Sequence, residues 1–248
     1  MKKVMIVTGG SRGIGAACAR LAAERGYAVC LSYLSDRGAA DAVVDSIRAK
    51  GGAAMAAQAD VAAEEDVVRL FRQVDASLGP VTALVNNAGA VDRQSRVVDM
   101  DARRINRMLA VNVTGSFICA REAIRRMSTR HGGSGGAIVN ISSRASRLGG
   151  PGEYVDYAAA KAAVDTLTLG LAKELAGEGI RVNTVSPGLI YTGIHASGGE
   201  AGRVDRLKSF VPMQRGGQPE EVARAVLWLL SDEASYSTGA CIDVSGGR

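Results

Sequence analysis

The chain has 248 residues, of which 47% are hydrophobic, 22% charged and 4% aromatic, and it contains 31 glycines. This composition is typical of a globular protein with a sizeable core, and we predict one domain over residues 1–248. The net charge is +5, but the basic residues are spread along the chain, so we expect neither a nucleic-acid nor a membrane partner.

Short apolar runs alternate with longer amphipathic stretches. The first run, "KVMIV" at 3–7, follows a short basic start and ends in a glycine turn, which is typical of a first strand and not of a signal peptide. Six similar runs lie at 28–33, 54–59, 81–86, 136–142, 180–185 and 239–244. The alternation predicts an α/β fold with a doubly wound, seven-stranded parallel sheet and helices on both faces.

Two stretches between the strands have helical character: "AADAVVDSIRAKG" at 39–51, and "AEEDVVRLFRQVDASLG" at 63–79 with acids early and a glycine late. Residues 188–218 break the alternation because they are long, glycine-rich and polar. We predict that they form a mobile lid over a site at the carboxyl ends of the strands.

The cysteines and histidines indicate no disulfide and no metal centre. The four cysteines are far apart and lie in apolar surroundings, which favours buried free thiols in a reducing compartment. The two histidines are too few and too separated for an obvious zinc site. We therefore predict a cytoplasmic protein without a bound metal.

A glycine-rich turn, "TGGSRGIG" at 8–15, joins the first strand to a helix-like segment. Free backbone N–H groups and the positive end of a helix dipole meet at such a turn and favour an anion. Gly9, Gly13 and Gly15 permit the close approach of a pyrophosphate, although a plain strand-to-helix turn would use glycines too.

The stretch "EYVDYAAAK" at 153–161 contains a second chemical signal. On a helix, Tyr157 lies one turn before Lys161, so the ammonium would favour the phenolate and lower the tyrosine pKa toward neutrality. Tyr154 lies two turns from the lysine, about 10 Å of helical rise, which is too far for direct coupling without a bend or an intermediary.

Several spaced motifs resemble those of short-chain dehydrogenases/reductases. In chain order they are "TGGSRGIG", "NNAG" at 86–89, "VNVTG" at 111–115, "NISS" at 140–143, "YAAAK" at 157–161, "SPG" at 186–188 and a terminal "DVSGG". The resemblance covers nearly the whole chain. It implies a Rossmann-type domain, hydride transfer between NAD(P) and a carbonyl or carbinol carbon, and a homotetramer.

The resemblance also assigns catalytic roles. It selects Tyr157 as the general acid/base with Lys161, and it leaves Tyr154 as a packing or substrate-side residue. Strand alternation turns only one of Ser142 and Ser143 toward the site. The family's usual serine-to-tyrosine spacing favours Ser143 with one extra residue, and Ser142 is the alternative. Asn112 matches the family's helix asparagine, which helps to hold the lysine and a water; by itself it would read as a polar helix interruption.

Cofactor preference depends on the end of the second strand, where NAD-preferring relatives usually carry an acid. Tyr33 occupies that position, and Asp36 is better placed to cap the following helix. Arg12, with Ser35 and Arg37, suits a 2′-phosphate, so we predict NADP(H) over NAD(H). The resemblance implies the remaining cofactor-binding residues, which are Ser11, Ile14, Asp60, Val61, Asn86, Asn87, Ala88, Gly89, Pro187, Gly188 and Thr192, with Tyr157 and Lys161.

The substrate is less well defined by the sequence. We predict a carbonyl reductase or alcohol dehydrogenase acting on a small molecule. Two narrower alternatives are a sugar dehydrogenase and a 3-oxoacyl-carrier-protein reductase, the second because Arg121, Arg125, Arg126 and Arg130 could dock an acidic carrier. A solvated basic helix face is the simpler interpretation of those arginines. A catalytically silent NADP-binding regulator is the alternative outside enzymes.

Overall fold

The computed structural model describes residues 3–248, and these contain a seven-stranded sheet. The strands are β1 (Val4–Val7), β2 (Ala28–Tyr33), β3 (Ala54–Gln58), β4 (Ala83–Asn86), β5 (Gly136–Ile141), β6 (Ile180–Pro187) and β7 (Cys241–Val244). All neighbours pair in parallel in the order β3-β2-β1-β4-β5-β6-β7. The predicted Rossmann-type sheet is therefore confirmed, and the strand order reverses between β1 and β4, where such sheets bind ligands.

Helices connect the strands. They are α1 (Gly13–Glu24), α2 (Arg37–Arg48), α3 (Glu64–Ser77), α4 (Ala102–Leu109), α5 (Gly115–Met127), α6 (Ala145–Leu148), α7 (Val155–Leu175), α8 (Ile194–Ser197), α9 (Arg203–Leu207) and α10 (Pro219–Leu230). A π-type turn over Ala110–Thr114 joins α4 to α5 without interrupting the helical path. Within residues 3–248, no helix combines the length and apolarity needed to cross a membrane.

The predicted strand boundaries lie within two residues of the observed ones, and β4 begins at Ala83 rather than at 81. β6 continues to Pro187, two residues past the predicted run, and β7 begins at Cys241 rather than at 239. Asp36 caps α2 as predicted, since its carboxylate accepts a hydrogen bond from the Ala39 amide at 2.9 Å. The Asp36 carboxylate is therefore occupied by the start of α2.

Two hydrophobic layers, one on each face of the sheet, form the core. One layer is contributed mainly by α1, α2 and α10, and the other by α3, α5 and the end of α7. Successive residues of β1 alternate between the layers: Met5 and Val7 join the first, while Val4 and Ile6 join the second. Because both faces are covered, β1 is apolar throughout, and the polar residues of β4 and β5 are buried near the carboxyl ends of those strands.

The cysteines fit the sequence-based interpretation with one exception. Cys18, Cys30 and Cys119 are free and buried, and burial raises the pKa of each thiol to about 12. Cys241 is exposed, because β7 is the edge strand and its side chains alternate between solvent and the neighbouring layer. The expectation of four buried thiols is wrong for that residue.

Candidate active site

The carboxyl ends of β1 and β4 are joined by hydrogen bonds that order the glycine loop. The Thr8 hydroxyl accepts hydrogen bonds from the backbone amides of Asn87 and Ala88 at 3.0 and 2.9 Å. In return, the Asn87 side-chain amide donates to the carbonyls of Thr8 and Gly9 at 2.8 and 3.0 Å. These bonds place "TGGSRGIG" and "NNAG" side by side at the point where the strand order reverses.

The glycine loop requires small residues for two separate reasons. Gly9 and Gly13 have positive φ angles of 62° and 54°, which favour glycine. A Cβ at Gly15 would lie 2.5 Å from the Asn87 side-chain nitrogen, and one at Gly10 would lie 2.6 Å from the Leu31 Cβ. The loop backbone is thus pressed against β2 and β4, and the N-terminal amides of α1 are left to face an anion.

Two further members of the predicted cofactor set, Ser11 and Ile14, lie in this loop. Ser11 is half-buried, and Ile14 packs against the core from the first turn of α1. Arg12 directly precedes α1 and is exposed, and it makes no ion pair with the residues that the structure describes. Its guanidinium is therefore available to a ligand at the loop.

The end of β2 carries no acid among its own residues. Tyr33 is the last residue of the strand and is only 9% exposed. Ser35 follows in the exposed turn before α2, and Arg37 is the exposed first residue of α2, with its guanidinium 3.3 Å from the Asp41 carboxylate. Arg12, Tyr33 and Ser35 thus lie at or just after the ends of the neighbouring strands β1 and β2, while Arg37 is partly engaged within its own helix.

Three predicted cofactor residues have internal partners. The Asn86 amide donates to the Asn140 side chain at 2.9 Å and to the Ser116 carbonyl at 3.2 Å, so its side chain is turned inward. The Asp60 carboxylate accepts from the Ala62 amide at 2.9 Å, and Val61 packs against Gly115. Any contact of Asn86 with a cofactor would therefore use its backbone.

The end of β6 and the residues that follow it form the wall of the site that faces the glycine loop. The Pro187 carbonyl accepts from the Arg144 amide at 3.0 Å, and the Gly188 amide donates to the Val244 carbonyl at 3.0 Å. A Cβ at Gly13 would lie 3.2 Å from the Thr192 methyl group, so the start of the 188–218 segment reaches the glycine loop.

Tyr157 and Lys161 lie on one side of α7, facing the end of β5. Lys161 is 4% exposed, and its Nζ donates a hydrogen bond to the Ile141 carbonyl at 2.8 Å. The same nitrogen lies 5.6 Å from the centre of the Tyr157 ring. Burial is the main cause that lowers the lysine pKa to about 8, and nearby Asp165 partly opposes it.

The pKa of Tyr157 is raised to about 12, because burial outweighs the hydrogen bond with Ser143 that lowers it. The expectation that Lys161 brings this pKa toward neutrality is therefore wrong for this structure. Within residues 3–248, the hydrogen bond of Nζ goes to Ile141 and not to the phenol. The phenol is protonated at neutral pH, which is the form that can donate a proton.

The two serines point in different directions. Ser143 lies beside Tyr157, where its hydroxyl acts to lower the pKa of the phenol, and that hydroxyl also accepts a hydrogen bond from the Ala145 amide at 3.1 Å. Ser142 is 2% exposed and donates to the Lys161 backbone carbonyl at 3.2 Å. The structure thus brings Ser143 to the tyrosine and uses Ser142 to hold α7 against β5.

Asn112 lies in the π-type turn and is completely buried. Its Nδ2 donates to the carbonyls of Ala90 and Met108, each at 3.0 Å. A Cβ placed on Gly89 would lie 2.8 Å from Asn112 Oδ1 and 3.4 Å from Lys161 Nζ. Gly89 therefore keeps open the narrow space between the asparagine oxygen and the ammonium.

Tyr154 is separate from this group. It directly precedes α7 and is 8% exposed, with the Arg203 guanidinium stacked 5.0 Å from its ring centre. Because α7 begins only at Val155, the two-turn helical relation between Tyr154 and Lys161 does not hold. Tyr154 packs against the 188–218 segment instead.

Comparison with known sequences gives the same assignment as the geometry. The family model described as enoyl-(acyl carrier protein) reductase matches residues 9–248. The chain belongs to the short-chain dehydrogenase/reductase family. It is 59% identical over 245 residues to the uncharacterized oxidoreductase YgfF of Escherichia coli (strain K12), covering 99% of each chain. It is 37% identical to the 3-oxoacyl-[acyl-carrier-protein] reductase FabG of Staphylococcus aureus (strain Mu50), covering 100% of this chain and 98% of FabG.

Solved structures of short-chain dehydrogenases/reductases have the same fold. A dehydrogenase/reductase from Sinorhizobium meliloti 1021 superimposes with a TM-score of 0.91 at 33% identity, covering 99% of this chain and 94% of that one. A short-chain type dehydrogenase/reductase from Mycobacterium marinum gives 0.92 at 35% identity, with the same coverage. The protein is thus an oxidoreductase of a family that binds a nicotinamide cofactor and acts on carbonyl or hydroxyl groups of small molecules.

Sequence reasoning missed two residues that shape the site in this short-chain dehydrogenase/reductase. Thr8 joins β1 to β4, and Gly10 allows the loop to lie against β2. A hydroxyl residue at the end of an apolar strand was the available signal for Thr8. Gly10 gave no signal, because its need for a small residue comes from Leu31, a residue of another strand.

Replacing Lys161 by methionine should stabilise the protein near neutral pH while removing turnover. A shift from the ordinary value of 10.5 to about 8 corresponds to a destabilisation of about 3 kcal/mol. Loss of the hydrogen bond to Ile141 offsets about 1 kcal/mol of the gain. We expect Tm to rise by roughly 5 °C at pH 7.

The stability gained by Lys161→Met should decrease as the pH rises. Below about pH 8 the lysine is charged in both the folded and the unfolded protein, so the full cost of burying its charge applies. Between pH 8 and 10.5 the folded protein has lost this proton while the unfolded chain still holds it, so the cost decreases as the pH rises. Thermal melts of both proteins from pH 7 to pH 10 measure this. A variant less stable than the parent at pH 7, or a difference independent of pH, would show that the buried Lys161 ammonium does not destabilise the fold.

Proposed function

We propose that this protein is an NADP(H)-dependent carbonyl reductase or alcohol dehydrogenase that acts on a small molecule, with Tyr157 as the general acid/base. The observation that carries the proposal is the grouping of Ser143, Tyr157, Lys161 and Asn112 at the carboxyl ends of the strands, beside a glycine loop built for a pyrophosphate. When bound there, the nicotinamide would supply or accept the hydride.

The chain's own residues supply the proton and stabilise the developing charge. Ser143 hydrogen-bonds the substrate oxygen, and the protonated phenol of Tyr157 donates its proton to that oxygen during reduction. The phenolate left behind is stabilised by Lys161, whose ammonium remains mostly charged below its pKa of about 8. To restore the phenol, Lys161 passes a proton to the phenolate, and the lysine regains a proton from solvent through a water that Asn112 and the space beside Gly89 would hold.

We infer NADP(H) rather than NAD(H) from the charges around the adenosine end of the site. Tyr33 replaces the acid that would repel a 2′-phosphate, and Asp36 is committed to capping α2. Arg12 is exposed and free of ion pairs among the described residues, so its planar guanidinium can bind a phosphate through two hydrogen bonds.

Replacing Arg12 by methionine should weaken use of NADPH selectively. We expect kcat/KM for NADPH to fall about 10- to 100-fold, because a charge-assisted contact with the 2′-phosphate is lost, while kcat/KM for NADH changes less than about threefold. Steady-state kinetics with both cofactors measure this. Arg20→Met, which removes an exposed arginine from α1, is the matched control. A parent enzyme that prefers NADH, or an equal loss with both cofactors, would refute the cofactor proposal.

The arginines that suggested carrier docking are engaged within the protein. Arg121 pairs with Glu64 and Glu122 at 2.7 and 3.1 Å, and Arg125 pairs with Glu122 at 2.8 Å. Arg126 pairs with Asp75 and Glu122, and Arg130 with Glu178. This neutralisation favours the solvated-face interpretation, so we propose a small carbonyl compound before an acyl-carrier thioester. Because the chain is similar to FabG, the substrate panel below also includes acyl-carrier thioesters.

Replacing Tyr157 by phenylalanine tests the proposed chemistry. Loss of the proton donor should lower kcat about 10²- to 10⁴-fold, while NADPH binding measured by fluorescence changes less than about threefold. Tyr154→Phe, which keeps the ring that Arg203 contacts, should lose less than about tenfold. The substrate panel comprises ketones, sugars, quinones and acyl thioesters on coenzyme A or carrier protein. Unchanged turnover in Tyr157→Phe would refute the mechanism, and thioesters preferred only on the carrier would favour the alternative.

We also propose that the protein is a homo-oligomer, a tetramer by resemblance to its family, with α5 and α7 in the interface. α7 is apolar around much of its circumference, a character typical of a buried helix. Yet Leu169 on α7 and Phe117 on α5 are about half exposed, at 50% and 51%. A second copy of the chain would cover these faces.

Charge on this face should break the assembly. We expect light scattering after gel filtration to give a tetrameric mass for the parent and a smaller one for Leu169→Glu, because a buried unpaired carboxylate is costly. Leu34→Glu, which also charges an exposed leucine but on the loop after β2, should keep the parent's mass. A monomeric parent, or equal masses for all three proteins, would overturn the proposed interface.

A further inference from the structure

The start of α7 is the meeting point of three chain segments. Asp156, in the first turn, pairs with Arg104, and the Arg104 guanidinium also donates to the Arg93 carbonyl at 2.8 Å. The Glu153 carbonyl accepts from the Ser95 amide at 3.0 Å. These contacts join the loop after β4 to the turn that precedes Tyr157. The third segment is 194–207, which comprises α8, α9 and the turn between them.

Arg203 connects segment 194–207 to this junction. Its guanidinium forms ion pairs with Glu153, just before α7, and with Glu200 at 3.0 Å in its own segment. The same group stacks on the Tyr154 ring at 5.0 Å, and the arginine is only 9% exposed. A guanidinium that is both stacked and paired on two sides has a fixed position.

Neighbouring contacts show that the segment lies directly on the site's outer wall. A Cβ at Gly198 would lie 3.1 Å from the Val91 side chain and 3.2 Å from the Tyr154 hydroxyl. The Gln94 amide donates to Glu200 at 2.6 Å. Segment 194–207 thus closes against the loop after β4 and against Tyr154, three residues before the proposed catalytic tyrosine.

From these contacts we infer that Arg203 is a positioning residue, which holds segment 194–207 closed over the substrate side of the site by bridging Glu200 to Glu153 and Tyr154. The inference rests on the proposed function only in naming the substrate side. When the bridge is removed, the closed arrangement is populated less, and a substrate must bind to the remaining closed fraction. KM for the carbonyl substrate then rises, while hydride and proton transfer in the closed complex are unaffected.

The experiment compares the parent chain with Arg203→Met, Arg203→Lys, Glu153→Gln and the double variant Arg203→Met/Glu153→Gln. For Arg203→Met we expect KM for the carbonyl substrate to rise about tenfold, kcat to change less than about threefold, and the NADPH dissociation constant to stay within twofold. Arg203→Lys retains one ion pair but not the planar fork of the guanidinium, so its KM should lie between those of the parent and Arg203→Met. Because Glu153 and Arg203 act as a pair, the double variant should resemble Arg203→Met alone.

A second measurement requires no turnover. Hydrogen exchange of the backbone amides in 194–207 should accelerate in Arg203→Met and not elsewhere in the chain. The matched control is Arg215→Met, which removes another arginine–glutamate pair, with Glu221 at 2.7 Å, from the same 188–218 region. It should leave both exchange in 194–207 and KM at parental values.

The outcomes separate this inference from the proposed function. If no carbonyl compound is turned over by any variant, the proposed function fails and the exchange measurement alone decides the role of Arg203. Unchanged exchange in 194–207, or KM within twofold of the parent, overturns the inference. A parallel loss of Tm, NADPH affinity and kcat in Arg203→Met also overturns it, because that pattern indicates a general folding role.

Discussion

The proposed catalytic site depends on a buried ammonium group. Lys161 is almost completely enclosed, and its hydrogen bond goes to the Ile141 carbonyl at the end of β5. A charge removed from water is costly unless polar groups surround it, and the pKa near 8 reflects that cost. The remainder of the site is arranged around this group: Asn112 faces it across Gly89, Tyr157 lies beside it, and Ser142 fixes its backbone.

Such a charge is useful only if α7 cannot shift against the sheet. A chain of buried hydrogen bonds provides that restraint. Asn86 on β4 donates to Asn140 on β5, and Asn140 donates to the Thr168 hydroxyl on α7 at 2.8 Å. Thr184 on β6 also donates to Thr168, at 2.7 Å. Fully satisfied polar chains in an apolar layer specify one register, since a slip would leave several groups unpaired. This chain links three strands to the helix that carries Tyr157 and Lys161.

The sequence predicted the fold and the grouping of the site better than the electrostatics. Period and motif order depend on local patterns, so the seven strands, the glycine loop and the Tyr157–Lys161 pair could be located in advance. The pKa of Tyr157 could not, because burial, which dominates it, is a property of the packed molecule. The same reason applies to the inward-turned Asn86 side chain and to Arg203, whose partners Glu153 and Tyr154 are 50 and 49 residues away in the chain.

The connection between Ser143 and Tyr157 shows why motif spacing is a looser constraint than spatial position. It is one residue longer than the resemblance implies, yet Ser143 still reaches the phenol. Ser143 closely follows β5 and Tyr157 lies in the first turn of α7, and between them is the turn after α6, where Gly149, Gly150 and Gly152 have positive φ angles. Glycines there let the chain bend without displacing either end. This turn leads directly to Glu153 and Tyr154, the two residues that the Arg203 guanidinium contacts.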